Sequence, residues 1–195
     1  MLAIARRNAS ESPLLRLPGE IRNNIYAHIL TGWELRVVFG NVFKTVRLEI
    51  RDSDPSATYP PRTTEARSLL ACTRVCRQIH DETALLLFQH VTFVAKAPEH
   101  LCWWAHSNLQ SAQFDAMAMF KYPASSILQV GPPSPRYYIS TIECNAHNLS
   151  GTKQITFMGS SSHCSAKLKE EAKAVGNTFG IEVAFSPDRF VSWDS

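Results

Sequence analysis

Three residues that could bind a metal ion are spaced along one predicted helix: Cys72, Cys76 and His80. Eight helical residues rise about 12 Å, whereas the ligands of one tetrahedral zinc, at bond lengths of about 2.0–2.3 Å, lie within about 4 Å of one another. The three therefore cannot bind one ion. Two of them could do so with Cys102 or His100, but buried cysteines on core-facing helices are common. We expect no metal site and no cofactor.

Two further runs contain residue types used in acid–base or nucleophilic catalysis. His80-Asp81-Glu82 are adjacent, and neighbouring helical side chains point about 100° apart, so these three do not face one another. The run Ser-Ser-Ser-His-Cys at residues 160–164 lacks the glycine pattern of a nucleophile elbow. Gly151-Thr152-Lys153 lacks the spacing of a phosphate-binding loop. We therefore expect a protein that is not an enzyme.

The best-defined element is an amphipathic helix that begins at Pro18. Proline suits the first helical position because its missing N–H would have no partner there. Glu20 places a carboxylate in the first turn, beside the positive end of the helix dipole. Arg22 lies on a different face from the apolar residues. The apolar residues recur at helical spacing and predict one buried stripe, which consists of Ile21, Ile25, Ile29 and Leu30.

A β-hairpin is predicted after this helix. Residues 35–39 and 42–50 flank Gly40-Asn41, which is a two-residue turn signal. Such a turn would set Phe39 opposite Val42 and Leu35 opposite Val46, with the apolar residues of both strands on one face.

The remaining elements give the fold class. Thr63 or Thr64 can cap a helix that extends to about residue 80. Further helices are predicted over 81–89, 98–108 and 166–175, strands over 91–95, 137–143, 154–158 and 181–185, and either form over 110–122. Helices first, then strands alternating with helices, indicate an α+β fold.

The helix over 98–108 contains adjacent tryptophans. Leu101, Trp104 and Ala105 share one face, so Trp104 is expected in the core. Trp103 falls on the other side. It either packs beneath the hairpin or a loop, or it anchors a protein partner, since exposed tryptophan is typical of binding hot spots.

Two segments together resemble a known group of proteins. Residues 17–26, LPGEIRNNIY, are similar to the opening helix of an F-box, and more closely to the F-box-like start of a group of uncharacterised fungal proteins. The second segment of that group is matched by residues 69–93, which include Cys76-Arg77, Ile79-His80 and Glu82. The resemblance covers about half of the chain.

This resemblance implies a non-catalytic protein–protein interaction module. Leu17, Pro18 and Ile21 would dock a Skp-type adaptor of a cullin-based ubiquitin ligase, and the part after Val91 would recruit a substrate. An F-box joins its helices tightly, whereas residues 31–66 form an insert here that could cover the adaptor surface. Two alternatives stay open: a stand-alone scaffold with the F-box-like helix buried as core, and a small hydrolase or metalloenzyme.

Composition bounds these hypotheses. The 195 residues, 45% hydrophobic and 19% charged, suit one ordinary domain or two small ones. We expect an F-box-like helical module with an inserted hairpin over 13–95 and a small α+β part over 96–195, packed as one globule. The net charge of +3 is scattered and gives no nucleic-acid footprint.

Membrane insertion and secretion have no support in the sequence. No apolar run approaches the ~20 residues of a membrane span, and residues 1–12 lack the apolar segment of a signal peptide. The five cysteines are therefore expected as reduced thiols in an intracellular protein, in the cytoplasm or nucleus.

Overall fold

A seven-stranded sheet runs through the molecule. The computed structural model describes residue 7 and residues 11–39, 46–52, 64–65, 77–123, 135–159 and 165–186. The strands are β1 Trp33–Phe39, β2 Val46–Asp52, β3 Thr64–Glu65, β4 Thr92–Ala95, β5 Met119–Pro123, β6 Gln154–Met158 and β7 Glu182–Ser186. The helices are α1 Gly19–Leu30, α2 Arg77–Thr83, α3 Leu86–His90, α4 Pro98–Asn108, α5 Ser111–Asp115, α6 Pro135–Asn148 and α7 Ala166–Thr178.

The strand order is β3-β2-β1-β4-β5-β6-β7. Five strands, β1, β4, β5, β6 and β7, pair in parallel. Beyond β1, the strands β2 and β3 extend the sheet with antiparallel pairing. The α+β class is thereby confirmed. The sheet includes strands from both predicted parts of the chain, 13–95 and 96–195. β4 of the first part pairs with β5 of the second, from Thr92 opposite Met119 to Val94 opposite Lys121.

One face of the sheet holds the main core. The parallel strands follow one another in chain order, and right-handed crossovers then place the connecting helices on a single face. Phe93 of β4 lies at the centre of that face, with ring centroids 6.2 Å from Phe88, 6.2 Å from Trp104 and 6.1 Å from Phe120. The helix residues buried in the same cluster include Leu101, Trp104, Ala105, Tyr138, Ile142, Leu168 and Ala172.

A smaller cluster joins the first helices. Leu15, Tyr26 and Ile79 are buried together, and α1 packs on both α2 and α3. This cluster joins α1 to the helices that precede β4.

The predicted hairpin is confirmed, but the register predicted for its two strands is wrong. β1 and β2 pair with Phe39 opposite Val46 and Leu35 opposite Ile50, rather than Leu35 opposite Val46. The turn predicted at Gly40-Asn41 lies within residues 40–45, which are outside the described part of the chain. The observed register differs from the predicted one by four residues.

Three other element predictions were also wrong. The strand predicted over 137–143 is part of α6. Thr64, one of the two candidate helix caps, begins β3, and the other, Thr63, lies outside the described part of the chain. The helix predicted over 81–89 does not begin at Asp81, which lies inside α2. Pro18 is the N-cap of α1, which begins at Gly19.

The bounds of the later elements agree with the predicted bounds to within a few residues. Strands over 91–95, 154–158 and 181–185 appear as β4, β6 and β7, and α4 has the predicted bounds. Ser165 caps α7 by accepting a hydrogen bond from the Leu168 amide. Residues 110–122, for which both helix and strand were considered, contain α5 and the start of β5. Among the described residues, no helix has the length and apolarity to cross a membrane.

Candidate protein-interaction surface

Helix α1 buries a different stripe from the expected one. Arg22, Tyr26 and Leu30 are buried, whereas Ile21 is 46% exposed and Ile29 is 51% exposed. Ile25 is half-buried. The buried stripe is offset by one residue, which rotates the buried face by about 100°. Of the four residues predicted to be buried, only Leu30 lies in the main core.

The rotation follows from the contacts of Arg22. Its Nε donates to Glu82 Oε2 at 2.9 Å, and its Nη2 forms a short ion pair with Glu82 Oε1. Its Nη1 donates to the carbonyl oxygens of Leu15, at 3.3 Å, and Leu17. One guanidinium thus joins α1 to α2 and to the segment that enters α1. A bidentate guanidinium–carboxylate pair is among the stronger charge-assisted contacts.

Two neighbours complete the contacts of the Glu82 carboxylate. Gln78 Nε2 donates to its Oε1 at 3.1 Å, and the Tyr26 hydroxyl donates to its Oε2 at 3.4 Å. The hydrogen bond from Arg22 is the largest influence on Glu82 and lowers the pKa of that carboxyl below its usual value. The same hydrogen bond raises the pKa of Arg22.

This arrangement leaves an apolar ridge on the outer side of α1. We define the ridge as Leu17, Pro18, Ile21, Ile25 and Ile29. Leu17 is 36% exposed, Pro18 is exposed, and the three isoleucines recur every fourth residue along one side of the helix. The polar residues Glu20, Asn24 and His28 lie beside the ridge and are also exposed.

The described strands of the insert do not cover the ridge. β1 and β2 belong to the sheet, and β1 pairs with β4. Trp33 at the start of β1 reaches back to α1, where its Nε1 donates to the Ile29 carbonyl at 2.9 Å. The Ile29 side chain nevertheless keeps half of its surface exposed. The described strands of the insert, β1, β2 and β3, therefore leave Leu17, Ile21 and Ile29 open.

The chain matches one family over more than half of its length. The model of a domain of unknown function, DUF7730, covers residues 7–122. The chain belongs to the DUF7730 family. Neither the curated proteins nor the solved structures give a match to it.

The DUF7730 match contains the whole candidate surface. It includes the ridge, both partners of the Arg22–Glu82 pair, and the sheet as far as Tyr122 in β5. Arg22 and Glu82 lie in the two segments that resemble F-box-like proteins, but their pairing was not predicted. Their occurrence in the two halves of the motif was the available signal.

The structure separates Trp103 from the other predicted site residues. Leu17, Pro18 and Ile21 lie together at the start of α1. Trp103 is 49% exposed on α4, which packs mainly on β1, β4 and α6. Its neighbour Trp104 is buried in the core as expected.

A second charged group lies on the sheet face opposite the helices. Glu34 accepts from Lys121 Nζ at 2.8 Å and from Arg36 Nη2 at 3.2 Å. The side chains of Glu34 and Arg36 are nearly buried, and that of Lys121 is 23% exposed. Arg36 and Lys121 flank Val94 in the register of β1, β4 and β5. This triad links β1 to β5 across β4.

The residues considered for metal binding or catalysis are only partly described. Cys72, Cys76 and the run 160–164 lie outside the described part of the chain. His80 is exposed on α2, with its Nδ1 3.5 Å from Asp81 Oδ1. Among the residues that the structure describes, no group of three His, Cys, Asp or Glu side chains is arranged to hold a metal ion.

Proposed function

We propose that the protein is a non-catalytic, F-box-like interaction module that docks a Skp-type adaptor of a cullin-based ubiquitin ligase through the apolar ridge. The resemblance of residues 17–26 and 69–93 to F-box-like fungal proteins suggests this adaptor. The observation that carries the proposal is the exposure of Leu17, Ile21 and Ile29 on one helix whose opposite side is packed.

The spacing of the ridge suits docking into a groove. An amphipathic helix that binds a hydrophobic groove presents anchors three or four residues apart along one face. Leu17, Ile21, Ile25 and Ile29 have that spacing. Exposed apolar side chains that form a continuous patch, rather than standing singly, mark interaction sites.

The contacts of Arg22 support a preformed docking edge. Its guanidinium binds the carbonyl of Leu17 and so fixes the backbone that carries the Leu17 side chain. A partner therefore meets an ordered edge and loses little conformational freedom of the chain on binding.

The scaffold hypothesis has less support. It required the Ile21, Ile25 and Ile29 stripe to be buried as core, and two of these side chains are about half exposed. We also propose that the protein is intracellular, as adaptor docking requires, and that the part after β4 presents a substrate-binding surface that includes Trp103.

The test is co-purification with a Skp-type adaptor. Replacing both Leu17 and Pro18 with Ala should abolish capture while circular dichroism and the melting temperature stay close to wild type. Pro18 makes no side-chain capping hydrogen bond, and Arg22 binds the backbone of residue 17, so loss of the two side chains costs the helix ~1 kcal/mol or less.

Leu85→Ala is the matched control, because Leu85 is a similarly exposed leucine outside the ridge. It should retain the adaptor. If the wild-type chain fails to bind adaptor at micromolar concentration, or if the double variant binds as well as the control, the proposed function is wrong.

A further inference from the structure

A row of polar residues runs beside the apolar ridge of α1, and the two ends of this row are complementary. Glu20, Asn24 and His28 are exposed and stand four residues apart, so they lie along one side of the helix. The row begins with a carboxylate, which accepts hydrogen bonds, and ends with an imidazole, which donates one. An amide, which does both, lies between them. One copy of the row can therefore bind a second copy that runs in the opposite direction.

An antiparallel pair of α1 helices matches these ends. If a two-fold axis passes beside Asn24, Glu20 of each copy lies level with His28 of the other, because both are four residues from Asn24. The two Asn24 amides meet at the axis, where one can donate to the other. A parallel pair would instead set Glu20 beside Glu20, and like charges repel. The row of polar residues thus favours the antiparallel arrangement.

The apolar ridge fits the same register. Its isoleucines are four residues apart, and in this arrangement Ile25 of one copy lies level with residue 23 of the other, midway between Ile21 and Ile25. The isoleucines of the two ridges therefore interdigitate. Rows of residues four apart pack in this way in the commonest class of helix pairs, with axes about 8–10 Å apart that cross at about 50°. Polar row and ridge therefore agree on one register.

We propose that the apolar ridge is also a homodimer interface, in which α1 pairs antiparallel with α1 of a second copy of this chain. Ile21 and Ile29, which are about half exposed in the single chain, become buried in this contact. Helix α1 has 12 residues and is about 18 Å long, so the contact is smaller than the roughly 1,200 Å² at which standard interfaces begin. The homodimer is therefore weak and forms at micromolar or higher concentrations.

The homodimer regulates adaptor binding, a consequence that rests on the proposed function. The adaptor and the second copy use the same side chains of the ridge, so one chain cannot bind both at once. Because the homodimer is weak, an adaptor that binds the ridge more tightly displaces the second copy. A chain without adaptor meanwhile covers an apolar patch that would otherwise stay exposed to water.

Cross-linking through position 24 tests the arrangement on the full chain. Asn24→Cys places a thiol beside the two-fold axis, where a short bismaleimide should join two copies. Asn23→Cys is the matched control, because Asn23 is also exposed but points about 100° away from Asn24 and away from the ridge. Trypsin releases residues 23–36, which contain no natural cysteine, so the expected product is this peptide linked to itself. Equal yields of that product in the two variants would overturn the proposal.

Charge substitutions test the register, with sedimentation equilibrium over a micromolar concentration series as the measurement. His28→Glu places a carboxylate level with Glu20 of the second copy and should weaken the homodimer about tenfold, because two complementary pairs become two repulsive ones. Adding Glu20→His restores the complementary ends and should recover most of the affinity. Circular dichroism checks that both variants keep the helix. A wild-type chain that stays monomeric throughout the series, or a dimer that His28→Glu does not weaken, contradicts the proposed interface.

Adding a Skp-type adaptor separates the homodimer from the proposed function. The adaptor should reduce the Asn24→Cys cross-link in proportion to the chain that it captures. A homodimer in a chain that captures no adaptor supports the interface and refutes the proposed function. Adaptor capture by a chain that remains monomeric overturns the homodimer alone. A cross-link that persists in full when adaptor is bound overturns the shared use of the ridge.

Discussion

Arg22 is the residue whose environment was hardest to derive from sequence. A charged side chain on a short helix is usually exposed, so the isoleucines were expected to face the core. Burial of Arg22 becomes favourable only through Glu82, which lies sixty residues further along the chain. Helical periodicity describes one element at a time and cannot reveal such a partner. Leu101, Trp104 and Ala105 needed no polar partner, and their burial was predicted correctly.

The Glu82 carboxylate should make stability depend on pH. Its pKa is lowered in the folded protein from an ordinary value of 4.5. The ionised group therefore contributes stability above pH 4.5, and this contribution is lost as the pH falls through the folded-state pKa. Glu82→Gln should lower the melting temperature at pH 7, and the difference from wild type should shrink on acidification.

Glu171→Gln serves as the control for that experiment. Glu171 pairs with Lys167 at 4.0 Å on the exposed side of α7, and exposed pairs contribute little. If the difference in melting temperature between Glu82→Gln and wild type stays constant from pH 7 to acidic pH, the result contradicts the role given to the Glu82 charge.

Tyr122 provides a second test at the residue scale. Its hydroxyl donates to Asn145 Oδ1 at 2.8 Å, and Asn145 Nδ2 donates to the Thr141 carbonyl at 2.7 Å. Both side chains are fully buried. Tyr122→Phe removes one donor and leaves a buried amide oxygen without it, which should cost about 1–3 kcal/mol in urea unfolding.

Tyr137→Phe is the matched control for Tyr122→Phe. The Tyr137 hydroxyl donates to the Pro123 carbonyl at 3.2 Å from a half-buried position, where water can replace it, so its removal should cost less. Equal losses in the two variants would argue against a special role for the Tyr122–Asn145 pair.

At the scale of elements, α6 shows where composition misled. Its sequence contains tyrosine, isoleucine and threonine, which favour strands, yet that preference depends strongly on context. The buried positions of α6 are Tyr138, Thr141, Ile142 and Asn145, whose spacing is helical, and Leu149 directly after the helix is also buried. The short strands β4, β6 and β7 were predicted because composition and length agree there.

Gly176 predicts an unusual response to alanine. Replacing glycine by alanine within a helix normally stabilises by about 1 kcal/mol. A Cβ at Gly176 would collide with the Val183 side chain and approach the Ile181 carbonyl oxygen to 2.7 Å. Gly176→Ala should therefore destabilise by about 1–3 kcal/mol through overpacking of α7 against β7.

The control for Gly176→Ala is Gly19→Ala. A Cβ at Gly19 meets only the end of the Arg22 side chain, at 3.7 Å. This substitution should be neutral or stabilising in the same urea titration. If Gly176→Ala unfolds at the same urea concentration as wild type, α7 and β7 can move apart without a loss of stability, and the prediction is wrong.

At the scale of the whole molecule, the order of the strands could not be predicted from the sequence. β1 is the first strand of the predicted hairpin and also the edge of the parallel sheet, where it pairs with β4. The alternation of strands and helices indicates crossovers, but strand order depends on contacts between distant segments. Glu34 and Lys121 are such a pair, separated by eighty-seven residues.

Glu34 therefore tests how firmly the sheet is joined across β4. Removing one partner from a fully buried ion pair costs about 3–5 kcal/mol because the other charge is left in a poorly solvated site. The loss in Glu34→Gln should be smaller, since the Lys121 side chain keeps 23% exposure. Adding Lys121→Met should recover part of the loss, because it removes one of the two cations that Glu34 pairs with, while Arg36 remains. Glu182→Gln, on the exposed start of β7, should be nearly neutral. Urea unfolding of the wild type, Glu34→Gln, Lys121→Met and the double variant forms a double-mutant cycle that measures the coupling. Additive losses would show that the two side chains do not stabilise the sheet as a pair.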